Sequence, residues 1–264
     1  MQQAEDFRAE SRALAAILED LPEVDLHRVT QFKDWTIDHV LGHLHLFNTA
    51  AEVSLKGEAE FGAFIGPILQ DMQRGKPILE VQFPWLDGLS GRALFEAWRE
   101  GAESCADAFA KADPKARVKW VGPEMSALSS ITARQMETWA HGQEVFDLLG
   151  LERQESDRIR NIAHLGVSTY GWSFVNRKEV VPEPVPYVEL TGPSGALWRW
   201  NEAQADNYIR GSAVDFARVV TQVRNMADTG LQARGENARR WMEIAQCFAG
   251  PPVAPPAAGS RFKL

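Results

Sequence analysis

Apolar residues recur at helical spacing through the first two-thirds of the chain. Phe7, Leu14, Leu18 and Leu21 share one face of an Ala-, Glu- and Arg-rich segment that ends at Pro22, predicting a first helix. A second starts at Thr36, a good N-cap, with Asp38 as a first-turn acid facing the positive end of the macrodipole, and continues through Val40, Leu41, Leu44 and Phe47. Phe61, Phe64, Ile65, Ile68, Leu69 and Met72 mark a third. A fourth begins after Ser90-Gly91, runs Leu94, Phe95, Trp98, Ala102, Cys105 and Phe109, and stops before Asp113-Pro114. The fifth opens at Ser129 or Ser130, passes Met136 and Trp139, and closes at Gly150, a natural C-cap. Ile159, Ile162, Leu165, Thr169 and Phe174 predict a sixth. Successive amphipathic helices joined by moderate loops are the pattern of a helical bundle.

The pattern changes near residue 180. Val180-Val181-Pro182-Glu183-Pro184-Val185-Pro186 cannot continue a helix and reads as extended linker. Tyr187–Thr191 and Ala196–Trp200 are strand-like, and Gly192-Pro193-Ser194-Gly195 between them has turn chemistry, so a β-hairpin is expected. Tyr208–Arg210 reads as a third strand. Ser212 with Asp215 resembles a helix cap before Phe216–Val220, and a last helix is expected over Ala238–Phe248. The expected organisation is therefore α+β: a helical bundle over residues 1–180, a smaller α/β domain over 181–250, and a flexible proline-containing tail over 251–264. No internal repeat is visible.

Composition narrows the function classes. The chain has 264 residues, 45% hydrophobic and 24% charged, with 28 Lys plus Arg against 36 Asp plus Glu and a formal charge of -8. A phosphate polyanion needs a basic face, so nucleic acid and anionic membrane are not expected partners. No apolar run approaches the ~20 residues that cross a bilayer. The start, Met1-Gln2-Gln3-Ala4-Glu5-Asp6, lacks the basic and apolar regions of a secretory signal. Two cysteines, Cys105 and Cys247, form no CxxC and suit a reducing cytoplasm. The expected partner is a small-molecule substrate; oligomeric state is not readable.

Six histidines carry most of the candidate chemistry. His39 and His43 share a helical face, whereas His45 lies roughly 200° round from His43. Farther along, Glu137 and His141 form another i, i+4 pair. Two helices of one bundle, each with ligands on one stripe, can aim them at a common point. His43, Glu137 and His141 would then hold a divalent metal and leave one position open, the ligand count of a catalytic site. The donor set suits zinc first, and accepts iron, nickel or manganese. The same spacing also arises in helices without any ligand role, and the absence of H-E-x-x-H argues against a zincin protease. His45 is expected to be structural or exposed, and His27 and His164 have no partner in the sequence. Cys105 and Cys247 read as small buried hydrophobes without a cationic helper. Trp139 reads as core, as do Trp198 and Trp200. Arg134 stands three residues before Glu137 and could pair with it or bind an anion; Arg210, Arg218 and Arg224 are further anion candidates.

Two segments carry a family resemblance. Trp35-Thr36-Ile37-Asp38-His39-Val40-Leu41-Gly42-His43-Leu44 resembles the W-T-x-x-(D or H)-x-x-x-H-(L or I) signature of the DinB-like helical-bundle superfamily. More narrowly, it is similar to the N-terminal domain of mycothiol-dependent maleylpyruvate isomerases. Their second signature, Arg and Glu followed by His four residues on, is matched by Arg134-Gln135-Met136-Glu137-Thr138-Trp139-Ala140-His141-Gly142. The resemblance implies a DinB-like, four-helix-type bundle followed by a small α/β domain, with His43, Glu137 and His141 as metal ligands. It implies an enzyme that activates a low-molecular-weight thiol, as an isomerase or S-transferase, with Arg134 serving a carboxylate substrate. His39 stands where many of those isomerases have Asp, so it is a fourth ligand, a hydrogen-bond donor to substrate, or a satisfied half-buried histidine. Two rival readings use the same triad: a metal-binding protein without catalysis, and a hydrolase or oxygenase.

Overall fold

Helix α1 (Gln2–Leu18) buries Phe7, Leu14 and Leu18, the face its periodicity marks. This computed structural model describes residues 1–122 and 124–264. The second and third expected helices are α2 (Ile37–Ser54) and α3 (Glu58–Gln73). A helix that the sequence reading does not contain follows, α4 (Ile78–Leu86). Pro77 stands just before it and Pro84 in its last turn, so its punctuation reads as loop. Helix α5 (Gly91–Lys111) places Leu94, Phe95, Trp98, Ala102, Cys105 and Phe109 in the core, as its stripe predicts. A short antiparallel pair, β1 (Arg117–Val118) and β2 (Met125–Ser126), leads into α6 (Ala127–Leu148). The long helices α1, α2, α5 and α6 pack on one another, while α3 and α4 lie on α2. There Phe61, Ile65, Ile68 and Val81 close over Leu46, Phe47 and Ala50.

The chain divides into two compact units, Met1–Leu148 and Leu149–Leu264. The expected boundary at residue 180 lies later than this one. The sixth expected helix is two, α7 (Arg160–Ser168) and α8 (Tyr170–Val175). Both belong to the second unit because α7 packs on α9 (Ala213–Val220) and α8 on α10 (Glu236–Ile244). Apolar periodicity announces a helix but not the partner it packs against.

The second unit holds a four-stranded sheet, ordered β4-β3-β5-β6, from β3 (Tyr187–Thr191), β4 (Leu197–Trp200), β5 (Tyr208–Ser212) and β6 (Gln232–Arg234). The expected hairpin is present, with Val188 opposite Trp200 and Thr191 opposite Leu197. Strand β5 runs parallel to β3, with Ile209 beside Val188, and β6 closes the other edge antiparallel. Ser212 caps α9 by accepting the Val214 N–H, as expected. Residues 251–264 form no helix or strand, yet side chains bind them: Gln222 Nε2 donates to the Val253 carbonyl at 3.0 Å and Asn225 Nδ2 to Pro256 at 2.8 Å. Among the described residues, no helix is long and apolar enough to cross a membrane.

Candidate metal centre

The first turn of α2 is set by a reciprocal cap. Thr36 Oγ1 accepts the His39 N–H at 3.1 Å, and His39 Nδ1 accepts the Thr36 N–H at 3.2 Å, so an imidazole fills the place usually taken by Glu or Gln. Just before it the chain reverses tightly: Thr30 N–H donates to the Trp35 carbonyl at 2.7 Å and Trp35 N–H to Phe32 at 2.9 Å. That turn holds Lys33 and Asp34 in the left-handed region, at φ 50° and 57°. Helix α6 starts where Ser126 Oγ accepts the Ser129 N–H at 3.1 Å, slightly ahead of the expected serines. Gly42 permits the close approach of α4, since a Cβ there would meet Leu86 Cδ1 at 2.8 Å.

Packing of α2 on α6 brings His43 together with Glu137 and His141, whose ligand atoms all lie within 4.8 Å of one another. Glu137 Oε2 stands 3.7 Å from His43 Nε2 and 3.5 Å from His141 Nε2. Those separations are longer than a hydrogen bond. Both are close to the roughly 3.4 Å edge expected of a tetrahedron whose metal–ligand bonds are about 2.1 Å, and the third pair lies within 4.8 Å. The side chains keep 12%, 21% and 10% of their surface for His43, Glu137 and His141, so the cluster is recessed but reachable. Two nitrogens and one carboxylate oxygen, with an accessible side, fit a divalent cation that retains an exchangeable position.

Electrostatics favour the ligand forms a cation needs. Burial pushes the His43 imidazole down to about 4, against the opposing pull of Glu137, so it is neutral at pH 7. For Glu137, burial works against ionisation. The facing His141 and His43 rings and the Arg134 guanidinium outweigh it and hold the carboxyl well below its usual range. Arg134 is 4% exposed, with Nη2 3.8 Å from Glu137 Oε1 and its plane over the Phe47 and Trp120 rings at 5.9 and 5.6 Å. Its Nε and Nη1 are buried without a hydrogen-bond partner.

Other sequence candidates sit apart from the cluster. His39 is not among its three members; its Nδ1 is engaged in the cap and its ring lies 5.8 Å from Phe83. Burial lowers the His39 imidazole as well. His45 packs on Trp85 at 5.0 Å over Gly101, a structural place as expected. In the second unit, His164 Nδ1 accepts the Trp200 indole N–H at 3.1 Å. Cys105 is fully buried and its thiol is pushed up to about 12 by burial, which makes it a poor nucleophile. A cleft of about 510 Å³ lies between α1 and α5, away from the cluster residues. Its Arg12 and Arg99 are already paired with Glu103 and Glu19 at 2.6 and 3.0 Å, so it offers a ligand little free charge. Residues not anticipated as part of the site are its aromatic walls. Trp35 lies parallel to His141 at 5.8 Å and 5.4 Å from His43, Phe32 edges His141 at 5.0 Å, and Phe47 covers His43 at 4.8 Å. Trp35 immediately precedes the Thr36 N-cap, where an apolar side chain ordinarily signals only a hydrophobic staple.

Comparison with known proteins converges on one family. The profile of the mycothiol maleylpyruvate isomerase N-terminal domain matches residues 7–146. Two uncharacterized proteins of Mycobacterium tuberculosis, one from each of two strains, are each 38% identical over 249 residues, covering 94% of this chain and 95% of theirs. Among solved structures, the mycothiol-dependent maleylpyruvate isomerase superposes with a TM-score of 0.53 at 12% identity, over 88% of this chain and 91% of that one. A histidine-to-alanine mutant of such an isomerase gives 0.51, also at 12%, over 83% and 87%. At that identity the likeness is one of fold.

Proposed function

The chain belongs to the family of the mycothiol maleylpyruvate isomerase N-terminal domain, and on that premise we propose that it is a metal-dependent, thiol-dependent isomerase acting on a small unsaturated carboxylate. The observation that carries this reading is the convergence of His43, Glu137 and His141 on two helices, with one ligand atom from each within 4.8 Å of the others and Glu137 Oε2 at 3.7 and 3.5 Å from His43 Nε2 and His141 Nε2. We assign the three as ligands of a divalent cation, zinc first among the metals the donor set accepts. When bound, the cation supplies the positive charge that keeps a low-molecular-weight thiol in its thiolate form at neutral pH.

The chain's own groups would do the rest. Arg134 carries a guanidinium whose Nε and Nη1 are unpaired, and these are the donors we assign to a substrate carboxylate. His39 accepts through Nδ1, so in its neutral form Nε2 bears the proton and is the atom that can donate to substrate. Trp35, Phe32 and Phe47 border the ligands with apolar surface that limits water. In the isomerisation, sulfur adds to one carbon of a conjugated cis double bond, the former double bond rotates as a single bond, and elimination returns the thiol and the trans product. Thiol and proton balance over the cycle.

The test is elemental analysis of the purified protein, followed by an assay of cis-to-trans conversion of maleylpyruvate with mycothiol and other small thiols. Stoichiometric metal and thiol-dependent turnover are expected. Stoichiometric metal without turnover by any thiol overturns the isomerase reading in favour of a non-catalytic metal protein, and a product that retains sulfur makes it a transferase.

A further inference from the structure

We propose that Trp35 is a positioning residue of this centre: one indole, packed against both ligand imidazoles, sets their orientation, and for His43 it does so in place of a hydrogen-bonded partner. The proposal rests on the metal reading above. Imidazoles that hold a metal through one nitrogen ordinarily donate the other to a carboxylate, carbonyl or water, which fixes the ring. Here His43 Nδ1 is buried and has no hydrogen-bond partner. Ring packing holds it instead, with Phe47 at 4.8 Å and Trp35 at 5.4 Å. The His141 ring lies within 4° of parallel to the same indole, and Phe32 meets its edge. Phe47 pairs with one ligand ring and Phe32 with the other, whereas Trp35 pairs with both, across two helices.

The indole is itself fixed. Trp35 is 4% exposed, and both its backbone groups are tied into the reversal that forces Lys33 and Asp34 into left-handed conformations. L residues avoid that region, and such backbone concentrates where a side chain must be held in place. A wall of rings also leaves His43 without an acceptor that would raise its basicity, so a cation bound there retains more of its charge.

The experiment is a Co(II) titration of the full chain after chelator stripping, read by the visible d–d absorption, for wild type and for Trp35→Phe, Trp35→Leu and Trp35→Met. Phenylalanine keeps a flat ring, so its band position should equal that of wild type. Leucine and methionine fill space without a ring. Both should lose roughly 10- to 100-fold in cobalt affinity, the scale for removing a partner that orients a metal ligand, and both should show a displaced band. Methionine is flexible enough to keep the fold if leucine does not, and melting of the metal-free variants checks this. Wild-type band and affinity in the leucine or methionine variant overturn the proposal, as does an equal loss with phenylalanine. Absence of any cobalt band in the wild type overturns the metal reading itself, which is a separate failure.

Discussion

The two units treat their buried polar groups differently. In the second, side-chain amides are tied to backbone carbonyls, although Asn207 Oδ1, Arg218 Nε and Trp241 Nε1 are buried there without a partner. Gln222 Nε2 reaches Ala245 and Val253 at 2.9 and 3.0 Å, and Asn207 Nδ2 reaches Pro184 at 2.9 Å. In the first, polar atoms are buried and left without hydrogen bonds at the candidate cluster, His43 Nδ1 and Arg134 Nε and Nη1, and at Asn48, where both side-chain heteroatoms are orphaned. An unsatisfied buried donor costs about 1–3 kcal/mol, and more when charged. Both units carry some of that cost; in the first it falls on His43 and on Arg134 beside Glu137, the residues we propose for metal and substrate. In the second unit, the same residue types hold irregular chain in place.

The contrast breaks most sharply at the ligands. His43→Ala and His141→Ala should each take bound metal from one equivalent to none by elemental analysis of reloaded protein, while His45→Ala leaves it unchanged. Equal loss in all three would mean that the α2 face has been misjudged. Arg134→Met comes next. A charged hydrogen bond is worth about 1.5–3 kcal/mol, so KM for the carboxylate substrate should rise by roughly 10- to 100-fold. The melting temperature of the metal-free protein should fall, because the substitution takes the buried counter-charge from the Glu137 carboxylate. A fall in melting temperature with KM unchanged would make Arg134 a structural residue. Arg134→Lys should not restore KM, since a point charge does not replace the guanidinium fork.

Much of this centre was legible before any coordinates. Thr36 and Asp38 announce the start of α2, and the i, i+4 pair on α6 puts Glu137 and His141 on one stripe, so spacing and resemblance together point to the three residues that come within 4.8 Å of one another. Four things were not legible. Helix α4 is hidden by Pro77 and Pro84, which stand at its ends and read as breakers. The unit boundary falls at 148 because α7 and α8 find their partners in α9 and α10, a long-range choice that periodicity does not encode. The role of Trp35 depends on a reversal through two non-glycine left-handed residues, which no local propensity predicts. The role of Asp38 also exceeds its first-turn charge, for Oδ1 accepts the Gly91 N–H at 2.7 Å and joins the starts of α2 and α5.

Removing the metal gives a third prediction. His43 titrates near its ordinary 6.5 when unfolded but at about 4 in the folded chain, and Glu137 is held well below its ordinary 4.5. In both cases the unfolded state takes up the proton first, so stability is present above the unfolded values and falls as pH falls. The His43 contribution is lost between about pH 6.5 and 4, and that of Glu137 below 4.5. The first is on the order of 3 kcal/mol at most, at 1.36 kcal/mol per pKa unit. Urea melts of chelator-treated protein at pH 7 and pH 5 should therefore differ, and His43→Phe should flatten the difference. A wild-type stability that does not change over that range contradicts the buried neutral imidazole.

The smallest effect belongs to the second unit and sharpens the contrast from its other side. Gln222 adopts φ 59°, a left-handed conformation, while its amide holds Ala245 and Val253. Replacing it by alanine removes both bonds and keeps the backbone cost, so a loss of about 1–2 kcal/mol is expected in denaturant melts. Glycine loses the same bonds but relieves the left-handed strain of about 1–2 kcal/mol, so Gln222→Gly should be the less destabilised of the two. Metal content should stay at the wild-type level in both. A drop in bound metal from either change would show that groups serving the fold of one unit also govern the ligands of the other, and the division of labour between the units would fail.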